Sequence, residues 1–310
     1  MASPKAFTIS RSDLKGPAGS VTLITGGAAG IGLQTALLLH ELSPTNKLIL
    51  LDRQKPKADQ APKAFIDSDR VLSLQCDITD WASQRDAFEA GVKHFGALDN
   101  VFVNAGIGEY KDQFFKDELD SNGKLKEPDR RVYDVDLSAA NDTLKLAVYY
   151  MRHRKDGKKG GNVVMVASLA GYLASAGAPL YSAAKHAIVG LMRALKNDTA
   201  TLDIAVSVVA PGITLTDIIA GRDPSESLAD WAKRMRAHGV PINDPGEVAT
   251  TVAWLFNQGM GANGKGMLVQ AGKVADLEEG IARNRKVWMG AEMLDLFRGG
   301  RTAPLFPNKL

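Results

Sequence analysis

Only one cysteine, Cys76, stands in the 310-residue chain. No intramolecular disulfide can form, so a reducing compartment such as the cytoplasm fits. Cys76 ends an apolar run, where a thiol packs as a small buried hydrophobe. Long apolar runs are missing as well. No stretch is long enough to span a bilayer and the first 20 residues hold no apolar signal segment, so no membrane partner is expected. Neither sign of charge dominates: the formal net charge is +3 with basic residues scattered, which argues against a nucleic-acid surface. The one basic cluster, Arg152 to Lys159, reads as a solvated loop. The final Asn308-Lys309-Leu310 is close to a peroxisomal address but has the wrong first residue, leaving the peroxisome as the lesser alternative. No repeat, low-complexity linker or second hydrophobic core interrupts the chain.

What is present is an alternation of short apolar runs with longer amphipathic ones. Hydrophobic residues make up 45% and charged residues 24%, ordinary for a globular enzyme. The pattern predicts strands at Val21–Thr25, Leu48–Leu51, Val71–Gln75, Asn100–Val103, Val163–Ala167, Ala205–Val209 and Met267–Gln270. Helices are predicted between them at Ile31–Leu42, Asp80–Phe95, Asp129–Met151, Pro179–Thr201 and Pro245–Phe256. Several strands are apolar nearly throughout, as parallel strands covered on both faces must be. The expectation is an α/β fold: a single doubly wound Rossmann domain over 20–275, with a parallel seven-stranded sheet and helices on both faces. A flexible arm is expected at 1–19 and a C-terminal helical extension at 276–310. Glu109–Pro128 reads as a polar insertion. The connection at about 213–244, which includes Asp223-Pro224, lies where a substrate lid would sit.

The first strand runs into Thr25-Gly26-Gly27-Ala28-Ala29-Gly30-Ile31-Gly32 and then directly into a helix. Glycine is needed here for a tight turn and for close approach of backbone N–H groups to a diphosphate. Glycine-rich turns also occur for plain backbone reasons; the position between strand and helix favours dinucleotide binding. Asp52 ends the second strand, where an acid accepts from adenosine ribose hydroxyls and repels a 2′-phosphate. Arg53 beside it could tolerate that phosphate, so NAD is expected with NADP as the alternative.

Tyr181 and Lys185 are four residues apart on one helical face, and Ser168 ends the fifth strand. Taken singly, such residues are unremarkable. With the glycine loop they form a coherent constellation, and with Asp77, Asn104-Ala105-Gly106, Tyr181-Ser182-Ala183-Ala184-Lys185 and Pro211-Gly212 the chain resembles the short-chain dehydrogenase/reductase family over nearly all of residues 20–275. The resemblance implies that Asp77, followed by Ile78, binds adenine and that Asn104, Ala105 and Gly106 let backbone pass close to the cofactor. It implies that Lys185 binds the nicotinamide ribose, with Pro211, Gly212, Ile213 and Thr216 at the carboxamide end. Ser168 would hydrogen-bond the substrate oxygen and Tyr181 would act as acid or base. A tyrosine used as a base near pH ~7 must titrate about three units below its ordinary ~10, worth ~4 kcal/mol. One positive charge at ~4 Å in an effective dielectric of ~20 supplies roughly that amount.

One position departs from the family. Where an asparagine usually stands in the long fourth helix, this chain has Asp136-Leu137-Ser138-Ala139. The family role rests on a local helix distortion and a backbone carbonyl that holds a water near Lys185, which aspartate can supply. Its carboxylate also adds negative charge beside Lys185, raising the lysine and offsetting part of its effect on the tyrosine.

Leu169, Tyr172 and Ala174 after Ser168, with Ile218, Ile219, Trp231 and Met235 in the lid, suit a hydrophobic small-molecule substrate or simply the packing of the lid. Beyond Ala275, residues Ile281, Val287, Trp288, Met293, Leu294, Leu296 and Phe297 suit an amphipathic helix covering the pocket or a neighbouring subunit. The tail and motif run are similar to fungal family members related to 15-hydroxyprostaglandin dehydrogenase. The resemblance therefore implies an NAD-dependent secondary alcohol dehydrogenase or ketoreductase, assembled as a homodimer or homotetramer, with a place in secondary metabolism. A scaffold recruited for isomerisation or cyclisation, or a non-catalytic dinucleotide sensor, are the competing classes. The intact Ser168, Tyr181 and Lys185 argue against both.

Overall fold

In the computed structural model, residues 5–14, 18–56, 61–219 and 225–300 are described. Strands β1 (Val21–Thr25), β2 (Lys47–Asp52), β3 (Val71–Gln75), β4 (Asn100–Val103), β5 (Gly161–Val166), β6 (Ile204–Pro211), β7 (Gly266–Gln270) and β8 (Lys273–Asp276) form one sheet in the order β3-β2-β1-β4-β5-β6-β7-β8. Between β3 and β7 every neighbouring pair is parallel. The chain reverses its direction across the sheet between β1 and β4, so a crevice opens there at the carboxyl ends of the strands.

The sheet has eight strands rather than seven, and the eighth is antiparallel. The cause is local. Ala271 and Gly272 both have positive φ, 47° and 73°, and join Gln270 to its partner Lys273 in a two-residue reverse turn. An alanine in that conformation carries none of the Asn-Gly or Asp-Gly signal by which such hairpins are recognised.

The helices are α1 (Gly30–Leu42), α2 (Lys63–Ile66), α3 (Trp81–Phe95), α4 (Arg131–Tyr133), α5 (Ala140–Arg152), α6 (Pro179–Ala200), α7 (Leu228–Ala237), α8 (Pro245–Gln258), α9 (Leu277–Arg283), α10 (Arg285–Met289) and α11 (Ala291–Gly300). A π-helical segment, Asp134–Ala139, joins α4 to α5. The expected fourth helix is therefore continuous but widened in its first half, a distortion common at functional sites. Alternate strand residues feed two cores. Leu23, Ile49 and Val101 pack with Phe88 of α3, Leu144 of α5 and Ile188 of α6. Their neighbours Ile24, Leu50 and Phe102 pack with Leu39 of α1 and Val252 of α8 on the other face.

Three further expectations are corrected. The N-terminal arm is docked where it is described: Phe7 exchanges both backbone hydrogen bonds with Val274, and Leu14 is buried. Residues 1–4 and 15–17 lie outside the described residues, as do Asp223-Pro224 and Asn308-Lys309-Leu310. The basic loop after α5 is not wholly solvated, because the Arg154 side chain is 4% exposed and pairs with Asp99 and Asp156 at 2.7 and 2.5 Å. Beyond β8 the described residues form three short helices rather than one. Of their apolar residues Leu294 is buried, whereas Val287, Trp288, Met293, Leu296 and Phe297 remain exposed. Among the described residues no helix is long and apolar enough to cross a membrane.

Candidate active site

The glycine loop follows from steric necessity. A Cβ on Gly32 would sit 2.1 Å from the Gly26 carbonyl oxygen, and one on Gly26 would meet Asn104 Nδ2 at 2.9 Å. Gly26 and Gly30 also take φ of 65° and 53°, which side chains other than hydrogen resist. The Asn104 amide donates to the carbonyls of Thr25 and Gly26, and the Thr25 hydroxyl accepts from Asn104 and Ala105 N–H groups. β1 and β4 are thus clamped together at the switch point. Ala29, at the start of α1, has no side-chain acceptor for the first-turn N–H groups. Those donors, next to exposed Ala29 and half-buried Ile31, fit an anionic diphosphate.

Around this cradle stand the remaining cofactor candidates. Asp52 is half-buried and accepts from Ala28 N–H at 3.0 Å and Gln54 N–H at 3.1 Å, while Arg53 is exposed. Asp77 is exposed, and hydrogen bonds from the Thr79 hydroxyl and N–H hold its carboxyl below the usual range. Ile78 beside it is buried. Across the crevice, Thr216 lies against Gly30, where a Cβ would meet its methyl at 3.3 Å. Pro211 is buried at the end of β6, Gly212 bonds back to Val269, and Ile213 is exposed. The donors, the acid at Asp52 and the glycine cradle fit a dinucleotide.

The acid–base candidates converge beside the crevice. Ser168 follows β5, and its hydroxyl accepts from Ala170 N–H at 3.1 Å and lies 3.5 Å from the Pro211 carbonyl. Tyr181 and Lys185 lie in the first two turns of α6, with the Lys185 ammonium 5.5 Å from the Tyr181 ring centre. Lys185 is almost fully buried, donates to the Val166 carbonyl at 3.2 Å and pairs with Asp136 Oδ2 at 3.0 Å. Burial works against its charge. The Asp136 carboxylate, Tyr181 and the hydrogen bond to Asp136 outweigh it, and the ammonium is held above the ordinary lysine range.

Asp136 sits in the π-helical segment and is itself buried. Its Oδ1 accepts from Ile107 N–H at 2.7 Å, and Gly106 makes room for it, since a Cβ there would meet Oδ2 at 3.2 Å. Oδ1 thus takes a backbone donor, while Oδ2 is engaged by the ion pair with Lys185 alone. An asparagine amide offers an acceptor on one side only, so aspartate at this position exchanges an amide for a direct ion pair with Lys185.

The substrate candidates divide. Leu169 is half-buried next to Ser168, and Ala174 and Ile218 are exposed beyond the sheet edge. Ala174 has φ 138°, a strained conformation for a residue with a side chain. Tyr172 is a correction: its hydroxyl donates to Glu278 at 3.0 Å, Arg193 stacks on its ring, and its oxygen lies against Gly266. It ties α6 to the C-terminal elements instead of facing a substrate. Trp231 is buried in a small separate core with Ala232 and Ile242, against which Ile219 and Met235 pack, so its side chain packs the interior of the connection after β6. The backbone of Thr214 bridges in parallel to Asn243, joining the two ends of this connection.

Glu109 was not visible as a site residue. It opens a polar segment, yet it is buried and its Oε2 accepts from the Tyr181 N–H at 2.9 Å. Nothing in local periodicity distinguishes it from the exposed acids that follow.

The family model described as short chain dehydrogenase matches residues 20–227. The chain is 32% identical over 308 residues to the short-chain dehydrogenase/reductase prx4 of Penicillium rubens, covering 94% of this chain and 86% of that protein. It is 28% identical over 269 residues to the 15-hydroxyprostaglandin dehydrogenase [NAD(+)] of Rattus norvegicus, covering 82% and 92%. Among solved structures, levodione reductase superposes with a TM-score of 0.65 at 26% identity, over 82% of this chain and 97% of the other. A 3-ketoacyl-(acyl-carrier-protein) reductase from Brucella melitensis, complexed with NADH, shares the fold at TM-score 0.67 and 22% identity, over 82% and 98%. Matched over two thirds of its length by the family model, and nearly end to end by a relative above 30% identity, the chain belongs to the short-chain dehydrogenase/reductase family of NAD(P)-dependent oxidoreductases.

Proposed function

We propose that the protein interconverts a secondary alcohol and a ketone on a hydrophobic small molecule, using NAD in preference to NADP. The observation that carries this reading is the buried Lys185, 5.5 Å from the Tyr181 ring and bonded to the carbonyl of Val166, the last residue of β5 and two residues before Ser168. Gly26, Gly30, Gly32, Asp52 and Asp77 would hold the dinucleotide, whose nicotinamide ring supplies the hydride acceptor or donor when bound. Ser168 holds the substrate oxygen. Tyr181 takes the hydroxyl proton during oxidation and returns it during reduction. The Lys185 charge stabilises the phenolate, and Asp136 keeps that charge in place while tempering its pull.

The preference for NAD rests on Asp52, which sets a carboxylate where a 2′-phosphate would otherwise lie. The rat relative named for NAD(+) supports it. A place in secondary metabolism is part of the same reading. Action in a reducing compartment and assembly as a homodimer or homotetramer belong to the same proposal. A screen at 340 nm of hydrophobic secondary alcohols and ketones with both cofactors tests it. Turnover with NAD exceeding that with NADP is expected; absence of any cofactor-linked change would move the chain to non-redox chemistry on the same scaffold.

A further inference from the structure

Tyr181 is the third residue of α6, so its N–H is among those that a helix cannot pair for itself. Caps for such groups are ordinarily local, but Ala178 in front of this helix has no side-chain acceptor. The acceptor comes instead from 72 residues away: Glu109 Oε2 at 2.9 Å. A carboxylate is well suited to that place, because first-turn N–H groups favour negative charge. Its other oxygen, Oε1, is buried with no hydrogen-bond partner, a cost that a local cap would avoid.

Glu109 belongs to the loop that also grips the other half of the pair. Two residues before it, Ile107 N–H holds Asp136, and Asp136 holds Lys185. One short segment after β4 thus fixes the lysine through one acid and the tyrosine turn through another. We propose that Glu109 is a positioning residue, whose carboxylate sets the first turn of α6 and with it the reach of the Tyr181 phenol. The proposal rests on the reading of Tyr181 as the proton-transfer group.

The test compares the full-length wild type with Glu109→Ala, Glu109→Gln and the double variant Glu109→Ala with Ala178→Ser. Three quantities are measured: kcat and KM, cofactor affinity by nucleotide fluorescence, and amide hydrogen exchange of the 179–185 segment. In Glu109→Ala, kcat is expected to fall roughly 10- to 100-fold with cofactor affinity kept, since misplacement by about 1 Å is enough for such a loss. Exchange of the first turn accelerates at the same time. Glu109→Gln keeps an acceptor oxygen and restores both. The double variant supplies a local cap, so protection returns while kcat stays low; recovery of kcat there would show simple capping and overturn the proposal. Unchanged kcat in Glu109→Ala would overturn it too and leave the redox reading standing. If the wild type itself turns over no alcohol or ketone, that reading falls, and exchange alone decides. Protection lost in Glu109→Ala and kept in Glu109→Gln upholds the brace; protection unchanged in both removes it.

Discussion

Replacing Asp136 by asparagine removes one buried charge and leaves the outline of the site unchanged, so its consequences can be worked from distances. Asp136 Oδ2 lies 3.0 Å from the Lys185 ammonium, which lies 5.5 Å from the Tyr181 ring centre. Laid end to end, these place the carboxylate within about 8.5 Å of the ring. In an effective dielectric of about 20, one charge at that range or slightly beyond acts on the phenolate with about 1.5–2 kcal/mol, or roughly one pH unit. The sign follows directly. The carboxylate disfavours a phenolate, so without it the acidic limb of alcohol oxidation moves down by about one pH unit. Lys185 then loses the partner that offsets its burial, and a lysine no longer held up sheds its proton at lower pH. The alkaline limb moves down as well. The measurement is kcat/KM for oxidation, followed at 340 nm from acidic to alkaline pH, with both proteins on the same substrate. Superimposable profiles, or a displacement to higher pH in the variant, would refute the electrostatic account. Leaving Lys185 buried without a counter-charge is also expected to destabilise the variant by about 3–5 kcal/mol, read as a fall in denaturant midpoint.

Three further outcomes are expected. Tyr181→Phe should abolish hydride transfer while cofactor fluorescence titrations stay near wild type, and undiminished turnover would remove Tyr181 from the mechanism. Gly32→Ala forces a methyl to within 2.1 Å of the Gly26 carbonyl, so cofactor affinity should be lost or the fold weakened by about 1–3 kcal/mol. Wild-type affinity and denaturant midpoint together would contradict that geometry. Asp52→Asn keeps an oxygen for the Ala28 N–H but removes the charge, so the ratio of NADP to NAD affinity should rise by about tenfold or more, or ~1.4 kcal/mol. An unchanged ratio would place the discrimination elsewhere.

Much of this molecule could be read without coordinates, for a definite reason. Strand and helix periodicity, the turn demanded by Gly26, Gly30 and Gly32, and the shared helical face of Tyr181 and Lys185 all depend on residues a few positions apart. Local torsions and side-chain alternation therefore encode them in the sequence itself. Asp136 was legible as a departure from the asparagine that the family resemblance leads one to expect there, and the structure places it in the widened segment of the helix. Tertiary structure decided whatever depends on partners distant in the chain. Tyr172 follows Ser168 like a pocket residue, yet Glu278, 106 residues later, claims its hydroxyl. Trp231 looks like a ligand-facing aromatic until Ile242 and Leu215 close over it. The reverse turn at Ala271-Gly272 added an eighth strand, held by pairing with β7. Glu109 shows the same principle in the site: its sequence neighbours mark it as polar surface, and only the meeting of the β4 loop with α6 makes it the acceptor for Tyr181. Local pattern determines the strands, the glycine turn and the shared face of Tyr181 and Lys185, and long-range packing decides which side chains meet beside them.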